Sequence, residues 1–124
     1  MITLLHLSDI HMGSGFAHGR LNPETGLNTR LEDFIAALTR CIDRALAEPV
    51  NLVLFGGDAF PDATPPPLVQ QALASQFCRL SAAGIPAVLL VGNHDQHAQG
   101  LGGASLSIYR TLGVPDVVVG DRLE

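Results

Sequence analysis

Three times along this chain a short apolar run breaks off into a polar cluster rich in Asp, His and Asn. Ile2 to Leu7 leads into Ser8-Asp9-Ile10-His11, Leu52 to Phe55 into Gly56-Gly57-Asp58, and Val88 to Val91 into Gly92-Asn93-His94-Asp95. Runs this short, apolar at neighbouring as well as alternate positions, suit strands buried on both faces of a sheet. The segments between them read as helices. Leu31, Phe34, Ile35, Leu38, Ile42 and Leu46 recur at helical spacing after a Thr29–Glu32 capping-box step, and Pro49 ends the pattern. Val69, Leu73, Phe77 and Leu80 form a second stripe, with Thr64 as the expected N-cap before three prolines and Gly84 as the stop. A short helix from about Ala104 to Leu112 and a fourth strand at Val117 to Val119 complete the alternation.

Strands alternating with helices imply an α/β fold with a mainly parallel sheet and flanking helices. The three polar clusters then share one edge, the C-terminal ends of the strands, where open parallel sheets bind their ligands. With 124 residues, 47% of them hydrophobic and 15% charged, the chain suits one domain with a real core. The absence of a long apolar run excludes a membrane helix, and a cytoplasmic location is expected. The net charge of −5 argues against a protein that holds DNA through a broad basic surface. Cys41 and Cys78 lie far apart, each on the apolar side of an expected helix, and read as buried free thiols.

Asp9 and His11, two residues apart in extended chain, would point the same way and grip one ion. Asp58 follows two glycines that allow a tight turn, and Asn93, His94 and Asp95 close the third run. Carboxylate, amide oxygen and imidazole without thiolate suit Mn²⁺ or Fe²⁺, with Zn²⁺ also compatible. Each cluster alone is a common accident of sequence. All three in order, each directly after a buried strand, are hard to explain as structure, because semi-buried carboxylates are costly unless paired.

Asp9-x-His11, Gly57-Asp58 and Gly92-Asn93-His94-Asp95 resemble the first three motifs of the calcineurin-like metallophosphoesterases. Leu7 to Gly13, the Arg30-x-x-Asp33 step, Gly57-Asp58-Ala59-Phe60 and Gly84-Ile85-Pro86 are further similar to SbcD-type DNA repair exonucleases. The resemblance covers nearly the whole chain. It implies half of a four-layer α-β-β-α sandwich, with residues 1–124 as the N-terminal part of a nuclease domain. It also implies two divalent ions, most simply Mn²⁺: Asp9 and His11 on the first, Asp58 bridging, and Asn93 on the second. His94 would stand beside the scissile phosphate, with Asp95 orienting its ring. DNA is the implied substrate, and an SbcC-type ATPase the implied partner in the full-length protein.

Two departures bear on this. The family completes its site with three histidines from later motifs, which do not occur before Glu124, so about half the ligand set is expected here. Archaeal and eukaryotic relatives in the nuclease branch tend to carry a histidine three residues after the bridging Asp, where this chain has Pro61. Two other readings stand beside the nuclease: a phosphodiesterase for cyclic or small nucleotides, and a truncated chain without catalytic activity.

The remaining polar residues read more plainly. His6, inside the first strand, is expected to be a hydrogen-bonded core residue. His18 and His97 are expected to be solvated loop groups, with His97 the better placed to touch substrate. Arg20 and Arg30 suit either phosphate or surface salt bridges. Crossovers running in one direction would put every helix on one sheet face, leaving the other, apolar face bare and prone to self-association.

Overall fold

The computed structural model describes residues 1–61, 64–91, 106 and 108–120. Four strands, β1 (Leu4–Leu7), β2 (Leu52–Phe55), β3 (Ala87–Leu90) and β4 (Val117–Gly120), alternate with helices α1 (Thr29–Ala47), α2 (Pro67–Ala82) and α3 (Ile108–Leu112). The sheet is wholly parallel in the order β1-β2-β3-β4. Each crossover therefore moves one place in the same direction, as expected for helices gathered on one side.

Burial follows from that order. Val53, Phe55, Ala87, Leu89 and Val119 face the helices and are buried. The register aligns His6, Leu54, Val88 and Val118 on the opposite face, with Leu4 beside Leu52. There Leu4 is 54% exposed, Val118 61% and Leu90 41%, so this face is apolar and uncovered. His6 shares it and is exposed, with no side-chain hydrogen bond among the described residues, which corrects the expectation of a core histidine. Strand alternation put it on the face that no helix reaches.

The helices begin and end for local reasons. α1 starts one residue earlier than a capping box would have it. Asn28 is the N-cap, its side chain accepting from the Arg30 N–H, while Thr29 Oγ1 accepts from the Arg20 N–H. Glu32 turns instead to the preceding loop, accepting from Thr25 Oγ1 and Asn22 Nδ2, and these bonds hold its carboxyl below the ordinary value. α2 carries Pro66 as N-cap and Pro67 in its first turn, so the prolines rather than Thr64 set its start. It stops at Ala83, followed by Gly84 in the left-handed conformation with φ 71°.

The core lies between the helix layer and the sheet. Leu31, Leu38, Ile42 and Ala45 of α1 are buried, as are Val69, Leu73, Phe77 and Leu80 of α2. Phe77 meets Phe55 edge-on at 6.1 Å and Tyr109 at 5.7 Å, tying β2, α2 and α3 together. Burial, followed by the neighbouring Cys78, raises the Tyr109 hydroxyl above its ordinary value. Cys78 is exposed and Cys41 half-buried, so neither is the fully buried thiol expected, Cys78 least of all. It sits beside the buried stripe of α2 rather than within it. Between α1 and α2, Gln76 donates to Thr39 Oγ1 at 3.1 Å, and Arg79 bonds both Gln76 Oε1 and Asp43.

Leu73 is fully buried in this layer. Leu73→Ala should cost about 2–5 kcal/mol of stability, measurable as a lowered midpoint in urea unfolding.

Candidate metal centre

β1 and β2 do not part company where their strands end. The Gly56 N–H donates to Leu7 O at 2.7 Å, Asp9 N–H to Gly57 O at 3.0 Å, His11 N–H to Asp58 O at 3.1 Å and Met12 N–H to Ala59 O at 2.8 Å. Four backbone bonds thus continue the parallel pairing into the loops and fasten the first polar cluster to the second. Gly56 lies close under the first loop, where an added Cβ would stand 3.0 Å from Ser8 Cβ and 3.1 Å from His6 Nε2.

The loops reach this register through unusual backbone. Asp9 (φ 53°), His11 (φ 50°) and Asp58 (φ 54°) are left-handed; among the described residues only Asp116 is the same without being glycine. Each such residue costs on the order of 1 kcal/mol or more, a strain that clusters at functional sites. Gly57, at φ 105°, precedes Asp58 and supplies the sharpest part of the turn. Asp9 and His11 therefore do not lie in extended chain as their spacing alone implied. The left-handed turns at both residues nevertheless bring them together.

One ligand atom from each of Asp9, His11 and Asp58 lies within 4.8 Å of the other two. His11 Nε2 stands 3.8 Å from Asp9 Oδ1, with the imidazole and Asp58 half-buried and the Asp9 carboxylate largely exposed. Donors sharing one ion at about 2.1 Å lie no more than about 4.2 Å apart. Side-chain rotation alone would close the set around a cation. Two carboxylates and an imidazole converging from two strand ends fit a divalent ion of the Mn²⁺, Fe²⁺ or Zn²⁺ type.

Asn93, His94, Asp95 and His97 lie outside the described residues. His18 is exposed in a 3₁₀ turn, Phe16–His18, as expected of a solvated group. Arg30 bonds Asp33 at 3.1 Å and lies over the Phe34 ring at 5.7 Å, which favours the salt-bridge reading over a phosphate contact. Pro61 packs toward the first loop: a Cβ on Gly13 would lie 3.7 Å from its ring. Sequence reasoning passed over Met12, which is fully buried between half-buried neighbours. Its signal was an apolar side chain inside a polar cluster.

Residues 2–121 match the family model for calcineurin-like phosphoesterases. The chain belongs to that family of hydrolases. It is 34% identical over 116 residues to the DNA double-strand break repair protein Mre11 of Haloferax volcanii, covering 92% of this chain and 23% of the relative. The metallophosphoesterase YhaO of Bacillus subtilis is 34% identical over 94 residues, covering 76% and 23%. Mre11 of Sulfurisphaera tokodaii is 30% identical over 92 residues, covering 74% and 22%. The chain spans less than a quarter of the length of these relatives.

The geometry predicts that the 124-residue chain takes up one Mn²⁺ at Asp9, His11 and Asp58. Asp58→Asn should weaken that uptake at least ~10-fold, measured by calorimetric titration, because it removes the carboxylate that β2 contributes.

Proposed function

We propose that this chain is the N-terminal part, residues 1–124, of a metal-dependent phosphodiesterase domain acting on DNA, of the SbcD nuclease type. The observation that supports it best is the convergence of Asp9, His11 and Asp58 on strained, mutually fastened loops. Similarity over most of the chain to DNA double-strand break repair proteins favours DNA over other phosphodiesters. In this reading Asp9 and His11 would hold a first divalent ion, Asp58 would be shared with a second, and Asn93 would complete the hold on that second ion. The ions, when bound, supply charge to the phosphate and lower the pKa of the attacking water. His94 donates a proton to the leaving oxygen or steadies charge on the phosphate, and Asp95 fixes the orientation of its ring. In the same reading an SbcC-type ATPase is the partner of the full-length protein, and its location is the cytoplasm. The net charge of −5 leaves substrate affinity to the ions and local groups rather than a basic surface.

A second reading, hydrolysis of cyclic or small nucleotides, is favoured by that same acidic balance. One fusion separates the two. Joined to the part of Haloferax volcanii Mre11 that follows the matched residues, the chain should hydrolyse linear duplex DNA with Mn²⁺ and lose that activity on His94→Ala. Cyclic-nucleotide turnover with the DNA left intact would favour the second reading, and a folded, metal-loaded fusion inert on both would sink both. Alone, the chain should turn over bis-p-nitrophenyl phosphate poorly or not at all, since the later histidines are absent from its ligand set. Efficient Mn²⁺-dependent turnover abolished by His94→Ala would refute that expectation.

The uncovered sheet face carries a separate expectation. Among the described strand residues, Leu4, Leu52, Leu54, Val88, Leu90 and Val118 form an uncharged face, interrupted by His6. A second copy of the chain offers the complementary apolar surface, and the isolated chain should self-associate through it. Light scattering should give a mass above 13.1 kDa that falls on Leu54→Glu. A clean monomer at high concentration, with no dye-binding surface, would overturn this.

A further inference from the structure

We propose that Met12 is a positioning residue for the metal centre, a buried pin that sets His11, and through it Asp9, in ion-binding geometry. The inference rests on the metal-centre reading above and deepens it. From Ser8 to Gly19 Met12 is the one fully buried residue, with no exposed surface at all, while Ile10 and Phe16 pack half-buried against the core on either side of it. It directly follows His11, whose left-handed backbone is strained. Its N–H donates to Ala59 O at 2.8 Å, and Ala59 and Phe60 are themselves buried. The next residue, Gly13, lies against Pro61 and Val69. Met12 is thus the most deeply buried of the side chains that anchor the loop to the core, and the one adjoining the place where the backbone must hold an unfavourable conformation. A left-handed residue persists only where its surroundings over-determine it. Removing the pin leaves His11 free to relax toward ordinary backbone, which would carry its imidazole away from Asp9 and Asp58.

Met12→Ala should weaken Mn²⁺ uptake by the 124-residue chain ~10-fold or more, in the range that residues supporting metal ligands command. Met12→Leu, which keeps the volume, should bind as the parent does. Ile42→Ala, a fully buried site in α1 away from the loop, should lower thermal stability comparably yet leave Mn²⁺ affinity within about 2-fold. Met12→Val provides the same comparison should the alanine variant fail to fold. Calorimetric titration with Mn²⁺ alone, beside thermal melts, reads both quantities. Parent-like affinity in folded Met12→Ala, or an equal loss in Ile42→Ala, would overturn the positioning role. Absence of Mn²⁺ binding by the parent chain would instead remove the metal reading on which it stands.

Discussion

The parallel pairing of β1 with β2, carried past the strand ends by backbone hydrogen bonds, is the constraint on which the site depends. Within the strands it fixes register, Leu7 beside Phe55. Beyond them, the bonds from Asp9 to Gly57, His11 to Asp58 and Met12 to Ala59 make two loops into one rigid unit. Those bonds must oppose the conformational strain of three left-handed residues, and each is worth only about 1 kcal/mol net. Burial of Met12, Ala59 and Phe60 beneath the loops adds the remaining support. The candidate ligands sit at the rim of this unit, Asp9 exposed and His11 and Asp58 half-buried.

The same parallel order has a consequence for the molecule's other side. Because every crossover steps in one direction, α1, α2 and α3 all serve one face, where Phe55, Leu89 and Val119 are buried. An all-parallel sheet ordinarily needs cover on both faces. The apolar character of Leu54, Val88 and Val118 across the register shows a face whose sequence is suited to contact rather than to water. Metal centre and bare face thus follow from one topology: it brings motifs far apart in sequence to one edge and leaves half the sheet open.

Much of this was legible in the sequence where a residue's chemistry and its spacing agreed. The strands, both long helices, the stripe Val69, Leu73, Phe77 and Leu80, and the meeting of Asp9, His11 and Asp58 all followed from periodicity and strand ends. What escaped was decided by tertiary context. His6 and Leu54 look alike as strand positions, and only the handed path of the crossovers decides that their face goes uncovered. Thr29 and Glu32 have the spacing of a capping box, but Asn28 stood one residue nearer to the first free N–H groups. Cys78 adjoins the buried Phe77 at an angle that helical spacing alone resolves poorly. Left-handed backbone at Asp9 and His11 leaves no mark on composition, since aspartate and histidine serve equally well in ordinary turns.

Pro61 shows how context can change a position's work. In the nuclease branch that this sequence resembles, the corresponding place tends to hold a histidine able to meet substrate or exchange protons. Proline offers neither a donor nor a titratable group. Its ring lies near Gly13, where φ is 112° and an added Cβ would stand 3.7 Å from Pro61 and 3.8 Å from Val69 of α2. A proline there can restrict the backbone three residues after Asp58, but it cannot donate a hydrogen bond or exchange a proton.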